Sequence, residues 1–174
     1  MTRKVKLGLS VAAILLLASG GLVWHRYAPA APRHLRLPDG TEAFFRADSR
    51  VTPAAGFPTP RDIALDGDVF FRVPIRNQPL TLRSRLLVLT VTTESAVRVT
   101  AYSKQPGEQV EVLYGKVAAR KNYRSAFQEP DVLTDGQMTM VNRDIDLMEK
   151  ETTDVAQLRA WSDALIAAAL RKQR

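Results

Sequence analysis

Hydrophobic and polar positions follow three rhythms along the 174 residues. From Leu7 to Trp24 the chain carries no charged side chain and is almost entirely Leu, Ala, Val, Ile, Gly and Ser. From about Leu35 to Glu151 apolar residues come in short alternating runs. From Thr152 onward they recur every three or four residues. Each rhythm predicts a different element: a spanning helix, a set of strands, and an amphipathic helix.

The first segment is long enough to cross a bilayer, since eighteen helical residues at about 1.5 Å each span roughly 27 Å. Arg3, Lys4 and Lys6 precede it, and no acidic residue occurs before Asp39. By the positive-inside rule this gives a short cytoplasmic tail (1–6), a transmembrane helix or signal anchor (7–24) and an exported remainder. Trp24 and Tyr27 suit the outer interface. The competing expectation is a cleaved signal peptide, with small residues at Ala18, Gly20 or Ala28-Pro29-Ala30, releasing the protein into the periplasm. Residues 25–34 read as an extended linker, because Pro29 and Pro32 remove backbone donors and disfavour helix in their predecessors.

The middle rhythm predicts an all-β domain over 35–151. Strand-like runs occur at Glu42–Arg46, Asp62–Leu65, Val69–Val73, Leu80–Arg83, Leu86–Thr93, Ala96–Tyr102, Gln109–Leu113, Lys116–Ala118, Gln137–Val141 and Ile145–Leu147. Val97, Val99 and Ala101 against Arg98, Thr100 and Tyr102 show the period of two that a half-buried strand requires. Turn chemistry separates the runs at Pro38-Asp39-Gly40, Asp66-Gly67, Pro106-Gly107, Tyr114-Gly115 and Asp135-Gly136, where Gly supplies the positive φ of tight turns. Short strands with regular turns make an antiparallel two-sheet sandwich or a short β-solenoid.

The last rhythm predicts a C-terminal amphipathic helix within 152–174. Thr152 or Thr153 is the expected N-cap, Asp154 falls in the first turn, and Val155, Leu158, Trp161, Leu165 and Ala168 or Ala169 form the apolar stripe. Arg171, Lys172 and Arg174 complement the negative end of the helix dipole.

Composition narrows the chemistry. The chain has no cysteine, which excludes disulfides, thiolate metal sites and cysteine nucleophiles. Its two histidines, His25 and His34, lie nine residues apart near the start. The formal charge is +7, but setting aside Arg3, Lys4 and Lys6 leaves 22 positive against 18 negative charges, too mild a balance for a nucleic-acid surface. Arg33 and Arg36 read as lipid-headgroup neighbours.

Each candidate site has a structural reading beside it. Asp66-Gly67-Asp68 lacks the Asp-x-Asp-x-Asp-Gly spacing and distal Glu of a calcium loop, and reads as a hairpin turn. The acidic run Asp144, Asp146, Glu149 and Glu151 could draw a cation, but reads as a solvated strand and helix lead-in. Lys116, Arg120, Lys121 and Arg124 with Tyr114 and Tyr123 read as a polar hairpin flank, although such a stretch also suits acidic lipid or glycan. Phe44-Phe45 and Phe70-Phe71 are adjacent pairs, so one ring of each must enter the core and the other must meet a second layer or a partner. His34 has no converging second ligand. No phosphate loop or nucleophile elbow occurs. The sequence therefore predicts no enzyme, with no catalytic, cofactor-binding or metal-binding residue.

In this order the motifs resemble the FecR family, membrane-anchored regulators of iron-responsive extracytoplasmic sigma factors. Leu37-Pro-Asp-Gly-Thr41 is similar to the family's opening Leu-Pro-Asp-Gly-Ser/Thr turn, followed by a strand at Ala47–Val51. Leu65-Asp-Gly-Asp-Val-Phe-Phe-Arg-Val73 resembles its Leu-x-Gly-Glu-Ala-Tyr-Phe-x-Val run, and Pro79-Leu-Thr-Leu82 its Pro-Phe-x-Val. Leu113-Tyr-Gly-Lys-Val117 is similar to Leu-x-Gly-x-Val, Asp135-Gly-Gln137 to Pro-Gly-Gln, and Ala160-Trp161 to a pair near the end. The chain departs from the family at Glu94-Ser-Ala-Val97, where Gly-Thr-x-Phe is usual. It departs again in the six-residue tail, where family members carry several dozen residues, and in the closing helix, where many continue into a small α/β domain. The resemblance implies an inner-membrane, single-pass protein with a periplasmic β module. Its implied role is to regulate an extracytoplasmic sigma factor, in the anti-sigma class, through contacts with a sigma-regulatory system or an outer-membrane transporter. The alternative is a periplasmic structural module, or one binding a glycan or other ligand, with no transcriptional role.

Overall fold

The computed structural model describes residues 31–126 and 128–171. The cytoplasmic tail read over 1–6, the spanning segment over 7–24, the first part of the linker with His25 and Tyr27, and the basic residues Lys172 and Arg174 lie outside the described residues. Among those described, no helix is long and apolar enough to cross a membrane.

Among the described residues twelve strands precede one helix: β1 (Arg33–Arg36), β2 (Glu42–Phe45), β3 (Arg50–Pro53), β4 (Asp62–Val73), β5 (Leu80–Arg83), β6 (Leu87–Val91), β7 (Ser95–Ala101), β8 (Gly107–Tyr114), β9 (Val117–Lys121), β10 (Asp131–Leu133), β11 (Gln137–Asn142), β12 (Leu147–Thr152) and α1 (Val155–Arg171). One sheet runs β1-β2-β4-β7-β8-β11-β12 and the other β3-β4-β5-β6-β9-β10, with β4 common to both. All pairings are antiparallel except β4 with β5. The stacked parallel coils of a β-solenoid are therefore absent from the described residues, and the arrangement is a sandwich curled most of the way towards a barrel.

The Asp66-Gly67 signal does not make a hairpin. The runs Asp62–Leu65 and Val69–Val73 are two halves of the one twelve-residue strand β4. Gly67, with φ +116°, bends β4 where it leaves β3 and β5 and begins pairing with β2 and β7. A Cβ there would lie 2.3 Å from Ser49 Oγ and 2.7 Å from Ser49 Cα, so close approach as well as positive φ demands glycine.

Alternation along β4 sends Ile63, Leu65, Val69, Phe71 and Val73 inward. They meet Leu80, Leu82, Leu87, Leu89, Val97, Val99, Val110 and Val112 in one buried cluster between the sheets. Phe44 and Phe70 point the other way. They join Ala96 and Leu113 beneath Leu158, Leu165, Ile166 and Ala169 of α1, so the second layer required by the Phe pairs is the chain's own helix.

The helix begins one residue later than the sequence predicts. Asp154 is the N-cap: its Oδ1 accepts the Gln157 N–H at 3.0 Å and its carbonyl the Leu158 N–H at 2.9 Å. Thr153 is occupied elsewhere, its hydroxyl donating to Glu111 Oε1 at 2.7 Å. Ile145 is in the β11–β12 turn and not in a strand.

Candidate functional site

The residues that looked chemically suggestive in the sequence are mostly joints of the fold. Asp39, in the Leu37–Thr41 turn, accepts the Thr41 N–H at 2.9 Å and the Thr41 hydroxyl at 2.8 Å. It also accepts Arg61 Nε at 2.9 Å, and both side chains of this ion pair are almost wholly buried. Gly115, at φ +101°, would place a Cβ 2.1 Å from Ser95 Oγ, so the β8–β9 turn closes against β7 only with glycine. His34 stacks on Phe44, rings 4.5 Å apart and 6° from parallel, with Nε2 3.4 Å from Glu42 Oε1.

The would-be calcium residue Asp68 is an arginine partner. Its carboxylate takes Arg98 Nε and Nη2 at 2.9 and 3.0 Å, and Glu111 Oε2 takes Arg98 Nη1 at 3.2 Å. Burial works against the Arg98 charge, but the two carboxylates outweigh it and hold its pKa above the usual value. The guanidinium lies 3.8 Å from the centroid of Trp161, fastening α1 to the sheet by a cation–π contact. Sequence reasoning gave Arg98 no role, because an arginine on the polar face of an alternating strand looks like an ordinary solvated side chain.

The basic-aromatic and acidic stretches meet at one ion pair, Lys121 with Asp146. Lys121 is buried and its Nζ donates to Asp146 Oδ1 at 2.7 Å, to the Asp146 carbonyl at 2.8 Å and to Ser125 Oγ at 3.0 Å. Lys121 and Ser125 hold the Asp146 carboxyl below its ordinary range. Tyr123 lies beside Lys121 and Arg143, each 5.7 Å from its ring centroid. The stretch therefore does not form one exposed basic-aromatic platform. Glu108, at the far end of β8, is buried. It accepts the Ser84 hydroxyl and the Leu86 N–H, and burial drives its pKa upward against those two bonds.

What stays open is half of the outer face of the first sheet. The helix covers Phe44, Phe70, Ala96 and Leu113, but the row Thr100–Gln109–Met140–Glu149, in register across β7, β8, β11 and β12, floors an uncovered groove of about 320 Å³. Ile145 and Leu147 rim it, 68% and 44% exposed, and Met140 is 39% exposed. Glu149 and Glu151 share this face on β12, exposed and without an ion-pair partner among the described residues. Among the described residues no group of three or more His, Asp or Glu side chains converges to hold a metal ion. The groove thus combines exposed apolar side chains, Met140, Ile145 and Leu147, with the carboxylate of Glu149.

No protein-family model and no curated protein matches the chain. Two crystal structures of a candidate anti-sigma factor from Parabacteroides distasonis, at 1.65 and 2.50 Å resolution, share its fold. Each superposes with a TM-score of 0.66 at 23% identity, covering 76% of this chain. The chain spans 61% of the length of that protein, and at such identity the likeness is one of fold.

Proposed function

We propose that the chain is a FecR-like regulator of an extracytoplasmic sigma factor, anchored in the inner membrane through residues 7–24 and acting through protein contacts made by a periplasmic β module. The observation that carries this reading is the shared fold with a candidate anti-sigma factor. Within that fold, the residues of the sequence resemblance occupy its joints: Asp39 in the buried turn, Gly67 at the bend of β4 and Gly115 against β7. In this reading the protein binds and does not catalyse, and no cofactor takes part. The glycan-binding alternative is weakened where Lys121 is buried on Asp146, which takes one cation out of the basic-aromatic stretch.

A deletion strain and an overexpressing strain, read with a reporter for extracytoplasmic sigma-dependent transcription, test the role. The expected result is opposite changes in reporter output in the two strains. In-membrane crosslinking should then capture a sigma-regulatory protein or an outer-membrane transporter. Unchanged output in both strains, with neither partner captured, overturns the regulatory reading. A phosphatase fused after Arg171 should be active only if the module is exported, and inactivity would overturn the topology.

A further inference from the structure

The end strand of the first sheet, β12, pairs with β11 alone among the described residues. Beyond it in register, the Thr153 N–H donates to the Gly136 carbonyl at 2.9 Å. Since hydrogen-bonded pairs alternate in an antiparallel ladder, Glu151, Glu149 and Leu147 turn their backbone groups to β11. Met148, Lys150 and Thr152 turn theirs to the open edge. The side chains sharing the outer face are Leu147, Glu149 and Glu151, two residues apart, with Met140 and Ile145 beside Leu147 at the groove.

We propose that β12 is a docking edge for an extended segment of a protein partner carrying one apolar and two basic side chains at alternate positions. Its backbone would bond to Met148, Lys150 and Thr152. Its basic residues would face Glu149 and Glu151, and its apolar residue would widen the strip made by Leu147, Met140 and Ile145. Charge selects the occupant. Two copies of β12 pairing on each other would bring carboxylates together on one face, which is unfavourable, whereas a Lys- or Arg-bearing strand satisfies both. Lys150 does not compete for them, because its side chain turns to the opposite face and reaches the Val132 carbonyl of β10 at 3.4 Å. The inference rests on the reading that the protein works by protein contact, and it names the chemistry of that contact.

The test uses the full chain in detergent and a fluorescent peptide with one Val and two Lys at alternate positions among Thr residues. A Glu-for-Lys peptide is the control. The expected result is saturable binding of the Lys peptide alone, with slowed amide exchange at Met148, Lys150 and Thr152. Lys150→Pro removes one outward N–H where the β11 ladder does not need it. Together, Glu149→Gln and Glu151→Gln remove the charge with little change of shape. Both the proline variant and the double Gln variant should bind at least about tenfold more weakly while keeping the wild-type unfolding midpoint. Equal affinity for the two peptides, unchanged affinity in both variants, or protection mapping away from β12 would overturn the proposal. So would concentration-dependent dimerisation that the double Gln variant abolishes, which would identify a second copy, paired through Arg33–Arg36, as the occupant. Peptide binding that persists when sigma-dependent transcription proves independent of the chain would remove the regulatory role and leave the docking edge standing.

Discussion

Gly67 and Glu108 show how single positions carry disproportionate weight in this fold. At Gly67 the Asp-Gly pair signalled a positive φ, which is present, but the sequence could not say whether the chain reverses there or bends and continues. The deciding contact is Ser49, eighteen residues upstream, whose hydroxyl accepts the Asp68 N–H at 2.9 Å. Gly67→Ala should cost roughly 2–4 kcal/mol in denaturant unfolding, from backbone strain plus a forced shift of Ser49. Glu108 was not legible at all, since burial of a carboxyl is decided by distant Ser84 and Leu86. Its folded pKa is raised above the ordinary 4.5, so the folded state holds its proton more tightly than the unfolded chain does. The stability it contributes is complete below about pH 4.5 and is lost as pH rises through the folded value. Glu108→Gln should therefore unfold at higher denaturant than wild type at pH 7. That gap should close on acidification below 4.5, and a gap that widens there would show the sign to be wrong.

Among the elements, alternation reached strands as short as β2 and β5 but gave no run for β1, β3 or β10. Only the family resemblance placed a strand at Ala47–Val51 overlapping β3, and β12 was read only as far as Leu147. β7, with seven residues and clean alternation, was legible, as was the helical stripe of Leu158, Leu165 and Ala169. β1, β3 and β10 have four, four and three residues and lie beside prolines, so their local chemistry resembles linker or loop. They exist because a neighbouring strand offers them a ladder: β2 for β1, β4 for β3 and β9 for β10. The docking of α1 was half legible. The adjacent Phe pairs required a cover for Phe44 and Phe70, and nothing local said that the cover was the chain's own last helix. Trp161 fixes that helix by its face on Arg98 and its edge towards Phe70, ring centroids 6.4 Å apart and 72° inclined. Trp161→Ala should lower stability by about 2–4 kcal/mol and speed amide exchange along α1 more than along β4. Equal acceleration in both would mean that the helix and sheet open only together.

At the scale of the whole molecule, the two sheets are not separable units, because β4 is hydrogen-bonded in both and Lys121 at the end of β9 is tied to Asp146 in the β11–β12 turn. Unfolding of a Trp24→Phe variant should therefore give one transition, with Trp161 fluorescence and far-ultraviolet dichroism coincident in midpoint. A separate fluorescence change at lower denaturant would assign independent melting to α1. The antiparallel two-sheet class was legible from strand length and turn spacing, but the sharing of one strand was not, since the sequence marks only a bend. The open acidic edge was within reach of the same alternation argument: Leu147, Glu149 and Glu151 stand two apart, and extending that strand to Thr152 would have placed them on one side. A last consequence follows from α1 lying against β1 and β2 while His34 of β1 stacks on Phe44 beneath it. The module's tail is clasped to its own head: β1 is held by its ladder to β2 and by the closing helix packed on the same two strands, so a pull on Arg33 meets ladder and helix together.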